Sequence, residues 1–201
     1  IISLHISQTL SLAYRNAEQA AGMLLGRCQI EVIDSQTLSL GLGILVEAAA
    51  RAAAADMPLD DIVREVRGII PHIYVVFFSE SLDYLERGGR IGHAQALLGT
   101  ILGIKPFLTL EEGEIMPIEK VRTREEALEK LIEFVEEFDA IRRMAIVKDT
   151  ARIDPETEEL IEQLQETFPN IEIPVLSYGP VLSAHIGPDT MGVIVYERYV
   201  D

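Results

Sequence analysis

The chain is poor in the residues that would mark several common functions. It has one cysteine, Cys28, and no tryptophan among its 201 residues. A single cysteine forms no intrachain disulfide, which points to a reducing compartment such as the cytoplasm. Lysine and arginine number 17 against 33 acidic residues, a net charge of −16. That deficit argues against nucleic acid and anionic membrane surfaces as partners, because both reward basic side chains. No apolar run approaches the roughly 20 residues that span a bilayer, so no integral membrane association is expected. Residues 1–15 lack the basic start before an apolar stretch that a secretory leader carries.

Motifs for metal and nucleotide chemistry are missing as well. His5, His72, His93 and His185 do not pair with each other or with Cys28 at ligand spacing, and no metal is expected. There is no GxxxxGK[ST] loop and no GxGxxG after a strand. Gly41-Leu42-Gly43 lies within a helical pattern, where small residues permit close packing. A GxSxG elbow is also absent. No cofactor is implied. Cys28 reads as a small buried residue, not a nucleophile.

What is present is 48% hydrophobic sequence with alternating strand and helix patterns. Ile1 to Ile6 reads as a strand already under way, so the chain is expected to begin inside a domain. Ser7 or Thr9 is placed to cap a helix running to about Leu25, with Ala13, Ala17, Ala20, Ala21 and Leu24 as its apolar face. Gln29 to Ile33 reads as a strand. Two helices are expected at about Leu40–Ala55 and Leu59–Ile70. This alternation predicts parallel βαβ character up to residue 71.

After Pro71 the pattern changes. His72–Phe78, Pro106–Leu110, Ile115–Val121, Met144–Val147, Ile171–Tyr178 and Met191–Tyr199 read as strands. Glu111-Glu112-Gly113-Glu114 reads as a hairpin turn. Thr123-Arg124-Glu125-Glu126 is a capping box, and Asp154-Pro155 pairs a cap with a proline at the first helical position. The expected division is therefore 1–71, parallel α/β, and 72–201, a mixed sheet with helices.

Four features suit a ligand with a charged head and an apolar body. Arg87 and Arg90 flank Gly88-Gly89 and offer fixed-geometry donors for a carboxylate or phosphate. Ile91, Ala94, Leu97, Leu98, Ile101 and Leu102 follow at helical spacing. His185 stands in a stiff loop between Gly179-Pro180 and Gly187-Pro188. Ser11 lies near a helix N-terminus, which favours anions. The competing interpretations are a solvated turn, a histidine satisfied by nearby backbone, and a surface serine. A Ser11/His185 nucleophilic pair is a further alternative.

At these residues the chain resembles the DegV family of bacterial fatty-acid-binding proteins over nearly its whole length. Leu10-Ser11 with Tyr14 resembles an LSGTY helix start. Val32-Ile33-Asp34-Ser35 with Ser39 to Gly43 resembles a DS…SxGxG segment. Leu85 to Ile91, Gly103 to Pro106, and Gly179 to Pro188 resemble the most characteristic stretches. The resemblance implies a two-domain α/β fold, here an incomplete parallel α/β/α first domain and a second α/β domain with a mixed sheet. It implies a long-chain fatty acid in a tunnel between them, lined by Leu97, Leu98, Ile101 and Leu102. The carboxylate would be held by Ser11, His185 and Arg87 or Arg90, and presented to a fatty-acid kinase by a carrier that is not itself an enzyme. Rival functions are an acyl hydrolase, a relative of dihydroxyacetone kinase, and a scaffold with a vestigial pocket. Leu12-Ala13 replaces the family's Gly-Thr, which adds bulk and removes a hydroxyl. The family's TSQPS segment, another hydroxyl donor, is absent, so the chain reads as a fragment.

Overall fold

The computed structural model describes residues 1–97 and 103–197. Among these the backbone forms a mixed α/β structure in two compact units. One comprises residues 1–73 with 111–114, and the other residues 74–110 with 115–197, so far as they are described.

In the first unit, β1 (Ile2–His5) pairs in parallel with β2 (Glu31–Asp34), with Ile2 opposite Glu31 and His5 opposite Asp34. Parallel neighbours need a crossover, and α1 (Ala13–Gly22) supplies it. The helix is shorter than its alanine spacing predicts, and none of its residues is fully buried. Alanine contributes little apolar area to hold a helix against a sheet. Met23 and Leu25 are 83% exposed in the turn that follows. Cys28 lies in this same segment and is exposed, not buried as expected. Its small side chain sits in irregular backbone before β2, where no packed element covers it.

The next two helices match their periodicity. α2 (Ser39–Ala54) buries Gly41, Ile44, Leu45, Ala48, Ala49 and Ala52, one stripe at helical spacing. α3 (Leu59–Ile69) buries Ile62, Val63, Val66 and Ile69. Asp60 and Asp61 in its first turn and Arg67 in its last complement the helix dipole. The two helices pack on each other.

The second unit is built on a six-stranded mixed sheet in the order β5-β4-β3-β8-β6-β7. The strands are β3 (Ile73–Phe78), β4 (Lys105–Glu111), β5 (Glu114–Val121), β6 (Ile141–Lys148), β7 (Val175–Ser177) and β8 (Met191–Glu197). β8 lies in the interior of the sheet and is buried from Met191 to Tyr196. It runs antiparallel to β6, whereas β7 runs parallel to β6. Alternate residues Val76 and Phe78, Met144 and Ile146, and Met191, Val193 and Val195 join one core cluster with Leu131, Val135, Leu160 and Leu164. The period of two places them on one face, under α5 (Arg124–Glu136) and α6 (Pro155–Thr167).

Both capping expectations in this unit are met. Thr123 accepts from the Glu126 amide at 3.1 Å, and Asp154 accepts from the Thr157 amide at 2.9 Å. The Glu126 carboxylate returns to the Arg122 amide at 2.7 Å, one residue before the cap. Thr123→Ala is expected to destabilise this unit by about 1 kcal/mol, the usual value of a threonine cap. Chemical denaturation with an unchanged slope checks it, and a cost below about 0.3 kcal/mol would show that the cap is idle.

Two short helices carry candidate site residues, and the second replaces the loop expected between Gly179-Pro180 and Gly187-Pro188. α4 (Asp83–Arg87) puts Arg87 in a helical turn, and α7 (Pro180–Ile186) puts His185 in another. Pro180 occupies a first-turn position, where its missing amide is harmless, and Gly187 ends the helix at φ 83°. The apolar run after Arg90 begins as a 3-10 helix over Gly92–Leu97, not as an α-helix. No helix among the described residues is long and apolar enough to cross a membrane.

Candidate functional site

In the first unit, hydroxyl side chains gather where β1 and β2 end. Parallel α/β sheets bind ligands at such carboxyl ends, because loops and helix starts expose amides and short polar side chains there. The Ser7 amide donates to Thr37 O at 3.0 Å and the Ser35 amide to His5 O at 3.0 Å, so the two loops are tied together. Ser7 Oγ donates to Gly113 O at 2.8 Å and lies 2.9 Å from Thr9 Oγ1, which also bonds Gly113 O. Gly113 lies at φ 84°, and a Cβ there would fall 2.4 Å from Ser7 Oγ. Ser7 and Thr9 therefore anchor the loop and do not cap α1, as the sequence had suggested.

Ser11 is the hydroxyl at the helix entrance. Its Oγ accepts from the Ala13 amide at 3.2 Å, the first residue of α1. No hydrogen bond among the described residues uses its own proton. Ser11 is half-buried and Leu12 beside it is 62% exposed. The leucine at this departure from the family pattern thus points into solvent.

The loop after β2 is held as tightly. Asp34 Oδ1 accepts the amides of Gln8 at 3.2 Å and Gln36 at 3.0 Å. Ser35 Oγ donates to Thr37 O at 3.1 Å. Gln36 and Ser39 sit at φ 52° and 51°, in the left-handed region where residues other than glycine are strained.

In the second unit, α4 packs against α7, and an imidazole meets a glycine there. A Cβ on Gly88 would lie 2.4 Å from His185 Nδ1 and 3.3 Å from Cε1. Gly88 therefore serves as the floor for the ring, not only as a turn residue. His185 is half-buried, and its Nδ1 is buried without a hydrogen-bond partner among the described residues. An N–H at that position would be an orphaned buried donor, which is rarer and costlier than an unused lone pair. The proton of the neutral ring therefore belongs on Nε2.

The two arginines separate clearly. Arg87 is exposed at the end of α4. Arg90 is half-buried and folds back, its guanidinium donating to Gly88 O at 2.6 Å. Arg90 and His185 thus meet at the same glycine. The backbone around His185 is fixed by hydroxyls that the sequence did not single out. Ile186 O accepts from Ser79 Oγ at 3.0 Å and Thr190 Oγ1 at 2.8 Å. Gly187 O accepts from Tyr178 Oη at 2.9 Å. Burial, and then the charge of Asp149, push the Tyr178 phenol up to about 12, so it remains a donor at neutral pH.

Of the apolar wall, Leu97 ends the 3-10 segment half-buried. Leu98, Ile101 and Leu102 lie outside the described residues. No group of three acidic, histidine or cysteine side chains suited to a metal occurs among the described residues.

The fold is thus α/β, with hydroxyl side chains at parallel strand ends in one unit and an imidazole beside a guanidinium in the other. The chain belongs to the DegV family: the family profile, described as "Uncharacterised protein, DegV family", matches residues 1–198. A DegV domain-containing protein of Streptomyces coelicolor is 35% identical over 199 residues, covering 98% of this chain and 70% of the relative. A fatty acid binding DegV family protein from Streptococcus agalactiae superposes with a TM-score of 0.89 at 27% identity, over 98% of this chain and 70% of that one. The structure of a DegV family protein from Thermus thermophilus, described by its fatty acid binding, superposes at 0.85 with 32% identity and the same coverages.

Proposed function

We propose that this chain is a carrier for a long-chain fatty acid. The fatty acid binding of the Streptococcus and Thermus relatives supports this reading, at TM-scores of 0.89 and 0.85. The observation on the chain itself that carries it is His185 seated on Gly88, with its buried nitrogen unpaired and its other nitrogen left to donate. A carboxylate removed from water needs such donors. Its acyl chain gains about 0.8 kcal/mol for each methylene buried.

Ser11, His185 and Arg90 are the residues we assign to the carboxylate. Arg90 is preferred to Arg87 because it is half-buried and bonded to the glycine on which His185 rests. Leu97, with Leu98, Ile101 and Leu102 after it in the sequence, is assigned to the acyl chain. The receiver of the presented carboxylate is a fatty-acid kinase, as the family resemblance implies, and the working compartment is the cytoplasm.

Native mass spectrometry and calorimetry with oleate and palmitate test the reading. The wild-type chain is expected to bind one acid. Ser11→Ala and His185→Ala are each expected to weaken binding about tenfold, near 1.4 kcal/mol, the scale of one hydrogen bond to a charged group. Thermal stability should be unchanged in both. Absence of binding to either acid overturns the carrier reading, and unchanged affinity in both variants overturns the assigned head-group residues. Turnover of an acyl ester that disappears in Ser11→Ala would replace the carrier by a hydrolase.

A further inference from the structure

We infer that Ser79, Tyr178 and Thr190 are positioning residues for the ligand carboxylate: they clamp the end of α7 so that His185 presents its Nε2 proton. The inference rests on the fatty-acid reading above and extends it to side chains that do not themselves meet the ligand. α7 has only seven residues, and the last carbonyls of a helix have no partner within it. Here Ile186 O takes two hydroxyl donors and Gly187 O takes one.

The three donors come from three places on the rigid sheet. Ser79 directly follows β3, Tyr178 directly follows β7, and Thr190 directly precedes β8. Their exposures are 1%, 7% and 2%, so water does not substitute for a deleted hydroxyl. Their protons are used by backbone: Ser79 also shares its own with Ser81 O at 2.9 Å. None is therefore left over for a ligand.

The neighbours remove the alternative positions for the turn. Gly187 lies at φ 83°, and a Cβ there would meet the Tyr84 ring at 2.6 Å. Gly88 lies against the imidazole itself. The imidazole thus rests on Gly88 and the turn after it on the Tyr84 ring, while the carbonyls of that turn are tied to the sheet. Losing Tyr178 Oη strips Gly187 O of its hydroxyl donor, and losing Ser79 or Thr190 leaves Ile186 O with one of its two, so each loss loosens the turn that carries His185.

The test uses the full chain and oleate, with Ser79→Ala, Tyr178→Phe and the pair Thr190→Val and Thr190→Ser. Affinity is measured by calorimetry, and the state of His185 by long-range 15N–1H spectra of the imidazole. The ligand-free wild-type spectrum should show the Nε2–H tautomer. Ser79→Ala, Tyr178→Phe and Thr190→Val should each weaken oleate binding about threefold to tenfold, and Thr190→Ser should restore it. In a His185→Ala background, Ser79→Ala should have no further effect on affinity. An undiminished Ser79→Ala effect in that background, or a wild-type Nδ1–H tautomer, overturns the clamp. So do unchanged affinities and imidazole spectra in the three variants. If a variant fails to fold, the wild-type tautomer and the Thr190 pair still decide. If the wild type binds no oleate, the carrier reading fails, while the imidazole spectra of the variants report on the clamp independently.

Discussion

Asp154→Ala is expected to lower the unfolding free energy of the second unit by about 4 kcal/mol, whereas Lys148→Met should cost only about 1 kcal/mol. The two residues form one pair, but their surroundings differ. The Lys148 side chain is 5% exposed, and the Asp154 side chain is 40% exposed. Lys148 Nζ bonds Asp154 Oδ2 and donates to Thr157 Oγ1 at 2.9 Å. Asp154 Oδ1 in turn accepts the amide and hydroxyl of Thr157, at 2.9 and 2.6 Å. Removing the carboxylate leaves a buried ammonium without its counter-charge and strips the cap from α6. Removing the lysine leaves a carboxylate that water reaches. Urea denaturation of both variants gives the comparison, and equal costs would show that the mutual attraction, not the stranded charge, dominates.

The same pair gives the stability an acid limb. The Lys148 ammonium first, and then the Thr157 hydroxyl, hold the Asp154 carboxyl far below its ordinary value of 3.8. For a depressed carboxylate, the folded state gains relative to the unfolded state above the ordinary value. That gain is complete above about pH 4 and is lost as pH falls toward the folded value. Asp154→Asn, which retains a capping oxygen, should flatten this limb while keeping part of the cap.

Gly192→Ala is expected to cost about 3 kcal/mol, at the upper end of the range for overpacking a core. Gly192 pairs with Val147 of β6, and its other side faces β3. A Cβ there would lie 2.5 Å from Val76 O and 2.6 Å from Phe77 Cβ. The nearest obstacle is backbone of a strand in the sheet interior, not the end of a flexible side chain. The methyl is accommodated only if β3 and β8 separate, which weakens the hydrogen bonds between them. Denaturant unfolding checks the magnitude. A cost below about 1 kcal/mol would mean that the sheet opens locally at little expense.

Several elements were legible because their cause is local. Thr123 and Asp154 stand at cap positions with the right residues three places on, and both caps form. The stripes Ile44–Leu45–Ala48–Ala52 and Ile62–Val63–Val66–Ile69 carry their own period, and the helices appear within a residue or so of the expected ends. The α7 stretch failed for the same reason in reverse. Gly179-Pro180 and Gly187-Pro188 read as loop punctuation, yet a proline at the start and a glycine past the end also bound a seven-residue helix. α1 ends sooner than its alanine spacing predicts, because that spacing shows helix preference but not what the helix buries. Residue type alone predicts a buried Cys28, and its position in irregular backbone before β2 leaves it exposed.

The candidate site divides along the same line. By itself the sequence determined the family, through the Arg87–Ile91 and Gly179–Pro188 stretches, and it determined the elements whose capping and periodicity are internal to ten or fifteen residues. Only the tertiary structure decided that Gly88 is the floor for His185, that Arg90 folds toward that floor while Arg87 faces solvent, and that Ser79, Tyr178 and Thr190 hold the turn after His185. The physical reason is range. A cap or an amphipathic stripe joins residues three to eight apart, so its pattern is written in order along the chain. Ser79 and Ile186 are 107 positions apart, and Ser7 and Gly113 are 106 apart. A hydroxyl, or a missing Cβ, gains its meaning only when the sheet brings such distant backbone within 3 Å.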